Sequence, residues 1–142
     1  VELTAAEGLG AAPAAPGRPV PVLLVDDEEQ VARTVRRMLE GAGYGVTVAG
    51  DGEEALALFE QHPAAFEAVL LDLAMPNLGG GETYRRLRAR RADLPVLVTS
   101  GYSDGESGVP APDDAHAAFI AKPYAPPELL SALARLLAAV PG

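Results

Sequence analysis

The sequence predicts an α/β fold, a doubly wound sheet of five parallel strands with helices on both faces. One observation behind this prediction is a set of short, continuous apolar runs, which are typical of strands covered on both faces. The other is that the segments between these runs carry apolar residues at helical spacing. Alternating strands and helices form βα units with right-handed crossovers around one sheet. The 142 residues are enough for one such domain.

Residues 1–21 are predicted to be a flexible linker, and residues 22–142 the folded domain. The stretch from Ala5 to Pro21 reads AAEGLGAAPAAPGRPVP and contains few large side chains. Such a segment cannot bury enough surface to offset the entropy that is lost on ordering. Because the chain begins with Val1 rather than Met, we also expect another domain in front of the linker.

The first half of the domain is predicted to contain two strands and two helices. A strand begins at Val22 with VLLV, and the second strand reads YGVTVAG over residues 44–50. Asp51-Gly52 turns the chain into the second helix, which is predicted to end near His62-Pro63. The first helix ends where Gly41 and Gly43 stop a row of apolar residues at helical spacing: Val31, Val35, Met38, Leu39 and Ala42.

The second half is predicted to contain three strands, AVLLD at 68–72, VLVTS at 96–100 and AFIA at 118–121. Glycines 79–81 lead into a helix in which Tyr84 and Leu87 face inward. The last helix carries a row of apolar residues: Leu129, Leu130, Leu133, Leu136, Leu137 and Val140.

Polar residues follow four of the predicted strands, at the edge where open parallel sheets bind ligands. A set of carboxylates, hydroxyls and the only lysine in the chain falls at this edge: Asp26, Asp27, Asp72, Thr99, Ser100 and Lys122. Asp72 stands out because it follows a fully apolar strand, where a carboxylate loses hydration unless cations or donors surround it. The sequence therefore predicts a site at the carboxyl edge of the sheet.

Carboxylates that are brought together repel one another, and this either raises a pKa or recruits a divalent cation. The chain has no cysteine, and oxygen ligands favour a hard ion such as Mg²⁺. The lysine and a short hydroxyl could hold phosphoryl oxygens, while one carboxylate attacks phosphorus to give an aspartyl phosphate. Taken alone, these residues also have structural explanations. The acids at 26–29 could stabilise the start of a helix, and Ser100-Gly101 could form a turn.

The charge balance argues against a nucleic-acid partner, because 20 acidic residues face 11 basic ones and the net charge is −9. The only basic cluster, within residues 85–91, reads as the solvated face of one helix. No segment approaches the ~20 apolar residues of a membrane span, and the start lacks the pattern of a signal peptide. We therefore expect a cytoplasmic domain without membrane contact.

Four segments in this order and at these separations resemble the receiver domain of two-component response regulators. They are VLLVDDEE, VLLDLAMPNLGG, PVLVTSGY and FIAKPY. The resemblance covers the chain from about Val22 to about Val140. It implies a flavodoxin-like sheet with strand order 2-1-3-4-5.

The resemblance implies that Asp72 is the phosphoacceptor. Mg²⁺ would be bound by Asp27, Asp72 and the backbone carbonyl of Ala74, with water-mediated support from Asp26. The donor would be a phosphohistidine on a cognate histidine kinase or phosphotransfer domain, either separate or in the same polypeptide. Such a domain assists its own phosphotransfer and autodephosphorylation.

The resemblance assigns roles to four further residues. Ser100 would be the switch hydroxyl that moves onto the phosphoryl group, and Lys122 the salt-bridge partner of that group. The peptide bond before Pro123 would be cis. Phe119 falls at the position of the switch aromatic, although an ordinary core phenylalanine is an equal alternative.

One region departs from the family pattern. The segment between Ser100 and Ala118 should hold the fourth helix, but Gly105, Gly108 and two prolines disfavour a regular one. We therefore expect that helix to be short or irregular, and this puts the usual dimerisation face in doubt. The oligomeric state stays open.

The linker in front favours a receiver that is attached behind another module, and hybrid sensor histidine kinases are similar in this respect. A magnesium-dependent phosphohydrolase with an aspartyl-phosphate intermediate is the main alternative from another class. Such enzymes resemble a pattern with nucleophile and acid two residues apart after the first strand, whereas Asp26 and Asp27 are adjacent here. A docking module that is never phosphorylated is disfavoured, because every acid, the hydroxyl and the lysine are present.

Overall fold

The computed structural model describes residues 19–62, 64–74, 79–100 and 114–138. Most of the segment that was expected to hold a short or irregular fourth helix, residues 101–113, lies outside the described residues, as do residues 1–18. Within the described ranges no helix is both long and apolar enough to cross a membrane. The elements are β1 Val20–Val25, α1 Glu29–Gly41, β2 Tyr44–Ala49, α2 Gly52–Gln61, β3 Ala68–Asp72, α3 Gly80–Arg90, β4 Val96–Ser100, β5 Ala117–Ala121 and α4 Pro126–Ala138.

The five strands form one parallel sheet in the order β2-β1-β3-β4-β5. Every residue of β3 and β4 is buried, as their continuous apolar sequences predict. One core lies between the sheet and helices α2 and α3, around Phe59 and Leu87. A second core lies on the opposite face against α1 and α4, around Leu39 and Leu133. The predicted doubly wound α/β fold is therefore confirmed.

The first strand begins two residues earlier than predicted, so the assignment of Val20 and Pro21 to the linker is wrong. Val20 is buried, and its N–H donates to the Gly43 carbonyl. Pro21 has no N–H, but its carbonyl accepts a hydrogen bond from Glu67, which precedes β3. A proline fits there because its missing donor faces the chain just before the neighbouring strand begins.

β5 is an edge strand, and a carboxylate that precedes it is bound to α3. The Asp114 carboxylate accepts hydrogen bonds from the Tyr84 hydroxyl and from Arg88 Nε, the latter at 2.9 Å. Its second oxygen accepts a bond of 2.9 Å from the His116 N–H. Arg88 Nη1 also donates to the carbonyls of Arg91, Ala92 and Leu94, so one side chain connects the end of α3 to the start of β5.

Asp114→Asn should lower the free energy of unfolding at neutral pH by roughly 1.5–3 kcal/mol, the range for hydrogen bonds to charged groups. Burial would raise the pKa of Asp114, but hydrogen bonds from Tyr84, His116 and Arg88 hold it below its ordinary value of 3.8. A depressed pKa means that the stabilisation is complete above that value. It is lost as the pH falls through the lower pKa of the folded state.

Urea unfolding of the two proteins at about pH 7, about pH 5 and about pH 3 checks this expectation. The difference in stability between them should be the same at the first two values and smaller at the third. Asp93→Asn, which removes an exposed partner of Arg91, serves as the control. A difference that does not change with pH would contradict the charged pairing of Asp114.

Candidate functional site

The strand register brings the predicted polar residues to one edge of the sheet. Val25 pairs with Leu71, so Asp26 and Asp72 leave adjacent strands at the same level. Asp72 pairs with Thr99, and Ser100 pairs with Ala121, which precedes Lys122. Carboxylates, hydroxyls and lysine therefore converge because the strands are parallel and end together.

Asp26, Asp27 and Asp72 form an acidic cluster in which a carboxylate oxygen of each lies within 4.8 Å of the others. Asp26 and Asp72 are only 5% and 3% exposed, whereas Asp27 is exposed. The Glu28 N–H donates to Asp26 Oδ1 at 2.9 Å, which fixes this carboxylate as the chain enters α1. The cluster is thus buried on the sheet side and open to solvent at Asp27.

Among the described residues, two donors bind Asp72. Its Oδ1 lies 3.3 Å from Lys122 Nζ and accepts a 3.2 Å hydrogen bond from the Ala74 N–H. Burial raises the pKa of Asp72, while the Lys122 ammonium and the Ala74 N–H oppose that rise. The lysine and the amide therefore favour the ionised form that a nucleophilic carboxylate needs.

Asp26 is held in a different electrostatic environment. Burial raises its pKa to about 6, and the neighbouring carboxylates of Asp72 and Asp27 contribute to the increase. The Glu28 N–H and the Lys122 ammonium act in the opposite direction. Burial and the repulsion from the other two carboxylates thus both disfavour the ionised form of Asp26.

The donor set fits Mg²⁺. Oxygens that bind one Mg²⁺ at about 2.1 Å lie at most about 4.2 Å apart, and one carboxylate oxygen of each aspartate already lies within 4.8 Å of the others. All three groups are hard oxygen donors, and the exposed side of the cluster leaves room for water and phosphoryl oxygens. A divalent cation would also neutralise the carboxylate repulsion that adds to the effect of burial on the pKa of Asp26.

Comparison with known proteins agrees with this arrangement. The family model described as a response regulator receiver domain matches residues 22–134. This chain belongs to that family. Receiver domains act in two-component signalling, with histidine kinases or phosphotransfer proteins as partners, and typically use Mg²⁺ at an acidic cluster of this kind.

Relatives of this receiver occur among curated proteins and solved structures. It is 40% identical to the response regulator MprA of Mycobacterium sp. (strain KMS) over 119 residues, 84% of this chain and 51% of that protein. The chain thus spans about half the length of the curated relatives it matches.

Two solved structures with the same fold are also similar in sequence. The chemotaxis protein CheY4 of Vibrio cholerae is 29% identical with a TM-score of 0.70, over 83% of this chain and 98% of that one. The receiver domain of the hybrid histidine kinase CckA is 26% identical with a TM-score of 0.69, over 82% and 98% of the two chains.

The remaining predicted residues of the receiver lie on β4 and β5 or directly after β5. Ser100 is fully buried at the end of β4, and its carbonyl accepts a 2.9 Å hydrogen bond from the Lys122 N–H. The Lys122–Pro123 peptide bond is cis. Phe119 is 47% exposed on β5, so the alternative of an ordinary core phenylalanine is wrong. Its role as a switch, like that of Ser100, stays a prediction.

Tyr124 is a neighbour of the site that the sequence analysis did not single out. Burial raises the pKa of its hydroxyl, and the carboxylates of Asp26 and Asp72 raise it further. The sequence could have indicated this, because Tyr124 is only two residues from Lys122, which directly follows β5. Tyr124 also lines an open, largely apolar groove of about 750 Å³ that Lys122 borders.

Proposed function

We propose that this receiver accepts a phosphoryl group on Asp72 from the phosphohistidine of a kinase or phosphotransfer domain, in a reaction that requires Mg²⁺. The observation that carries the proposal is a buried carboxylate paired with the only lysine of the chain, beside two further carboxylates. An ion pair alone would not need Asp26 and Asp27 at the same point.

In the proposed step, a carboxylate oxygen of Asp72 attacks phosphorus and forms an O–P bond. The P–N bond to the donor imidazole breaks, and its electron pair returns to the ring nitrogen. Lys122 holds a phosphoryl oxygen as a point charge, and the Ser100 hydroxyl donates to another. Movement of Ser100 and Phe119 then changes the surface near β5, which is how a partner would read the phosphorylated state.

Mg²⁺ would be held by Asp27, Asp72 and the Ala74 carbonyl, with support from Asp26. When bound, it neutralises negative charge on the carboxylates and on the incoming phosphoryl oxygens. Burial raises the pKa of Asp72, and the chain opposes this rise through Lys122 and the Ala74 N–H, which favour the ionised carboxylate.

The competing readings have less support. A phosphohydrolase of the alternative class carries its nucleophile at the end of the first strand, whereas Asp72 is the last residue of β3. A docking module would not need an ion pair between a buried carboxylate and Lys122. Attachment to a hybrid sensor kinase, behind the predicted linker, stays a prediction, as does a cytoplasmic location.

Incubation with acetyl phosphate tests the proposal without knowledge of the cognate kinase. We expect intact mass to show one added phosphoryl group per chain in the presence of Mg²⁺. The adduct should be absent when EDTA removes the metal, because the carboxylates then repel the phosphodonor. Hydroxylamine should remove the adduct, since it cleaves an acyl phosphate but leaves a serine phosphate intact.

Two further results decide between the alternatives. Continuous turnover of a small phosphate ester would identify the hydrolase instead of the receiver. No adduct on the folded chain, under conditions where Mg²⁺ binding is seen by its effect on thermal unfolding, would overturn the proposal.

A further inference from the structure

The cluster of Tyr84, Arg88 and Asp114 lies outside the acidic site and has no part in the chemistry proposed above. Arg88 Nε and Nη2 both lie 2.9 Å from Asp114 Oδ2, and the two side chains are 19% and 9% exposed. The Arg88 guanidinium also lies 5.8 Å from the centre of the Tyr84 ring. This largely buried cluster fixes the position of Asp114, three residues before β5.

Within the described part of the chain, β5 has little side-chain packing to define its register. It is the last strand of the sheet, its sequence is AAFIA, and its phenylalanine is 47% exposed. Among residues 19–62, 64–74, 79–100 and 114–138, it contacts the cores through Ala117 on one face and through Ala118 and Ile120 on the other. A strand with few buried side chains holds its register weakly.

The register of β5 decides where Lys122 lies. Lys122 follows directly after β5, and its N–H bonds to the Ser100 carbonyl while its Nζ reaches Asp72. A slip by one residue would move the lysine by about 3.3 Å and turn its side chain to the opposite face of the sheet. The 3.3 Å contact between Lys122 Nζ and Asp72 Oδ1 would then be lost.

We propose that Tyr84, Arg88 and Asp114 are positioning residues that act as a register latch, holding β5 so that Lys122 remains on Asp72. The latch fastens the start of β5 to α3, and the bond from Lys122 to Ser100 fastens its end to β4. The consequence for phosphoryl uptake rests on the function proposed above; the consequence for β5 does not.

Hydrogen exchange followed by NMR tests the latch directly. We expect the amides of residues 117–122 to exchange at least about tenfold faster than in the wild type when Asp114→Asn removes the carboxylate. The same should hold for Tyr84→Phe, which removes only the hydroxyl. Loss of a charge-assisted hydrogen bond has an effect of this size. The amides of β1 and β3 should keep wild-type protection. Glu82→Gln removes exposed ion pairs from the same helix and should leave β5 unchanged.

The rate of phosphoryl uptake from acetyl phosphate tests the link to the site. Asp114→Asn should slow uptake several-fold in the wild-type background but not in a Lys122→Met background, because the latch acts through the lysine. Unchanged exchange of the β5 amides, or a uniform increase across the sheet, would overturn the latch. If the wild-type protein takes up no phosphate, the proposed function fails, and exchange alone still decides on the latch.

Discussion

Asp72→Asn should abolish phosphoryl uptake from acetyl phosphate, whatever the concentration of Mg²⁺. The amide keeps the size of the side chain but offers no anionic oxygen to attack phosphorus. We expect the variant to stay folded, because relief of the repulsion among the three carboxylates offsets the loss of the Lys122 ion pair. Intact mass measured in parallel with far-ultraviolet circular dichroism checks both statements.

Asp93→Asn is a matched control for this experiment. Asp93 is an exposed aspartate between α3 and β4 whose carboxylate pairs with Arg91, away from the acidic cluster. This variant should take up phosphate like the wild type. An adduct of wild-type yield on Asp72→Asn would move the acceptor to another residue, and Asp26 and Asp27 would be examined next.

The parts of the fold that the sequence predicted well depend on local signals. The bounds of β3 and β4 agree with the prediction because AVLLD and VLVTS are continuous apolar runs that the structure buries completely. The convergence of Asp26, Asp72 and Lys122 also follows from the sequence, because the ends of parallel strands share one edge of the sheet.

The parts that the sequence did not predict depend on contacts between distant residues. Val20 and Pro21 belong to β1 because Tyr44, Gly45 and Glu67 pair with them, and no local property distinguishes these two residues from the linker. The contacts of Tyr84 and Arg88 with Asp114 also join residues that are distant in the sequence. Tyr84 and Arg88 are at helical spacing in the sequence, but nothing near them indicates a carboxylate at position 114.

The glycines at the start of α3 show the same limit of sequence-based prediction at a single position. The sequence indicates a turn, but it does not show which glycine the fold requires. A Cβ atom on Gly80 would lie 2.4 Å from Leu73 Cα and 2.6 Å from the Asp72 carbonyl oxygen. Gly80 is therefore required because the start of α3 lies directly against the backbone that carries the phosphoacceptor.

Gly80→Ala should lower the free energy of unfolding by about 3 kcal/mol, at the upper end of the usual range for overpacking. The obstructing atoms are mostly backbone and cannot rotate away. Leu73 is fixed further by a 2.9 Å hydrogen bond from its N–H to the Thr99 carbonyl, and its own carbonyl accepts a 3.2 Å bond from the Gly80 N–H. Urea unfolding in the absence of Mg²⁺ measures the effect without a contribution from metal binding.

Gly79→Ala provides the comparison, since a Cβ atom there would meet nothing within 4 Å and its φ of −68° is open to any residue. We expect this variant to stay within about 0.5 kcal/mol of the wild type. Gly80→Ala should in addition slow phosphoryl uptake, because relief of the overlap displaces the end of β3 and with it Asp72. Equal stability of the two variants would show that α3 can move away from β3 at little cost, and the site would then be less rigid than its hydrogen bonds imply.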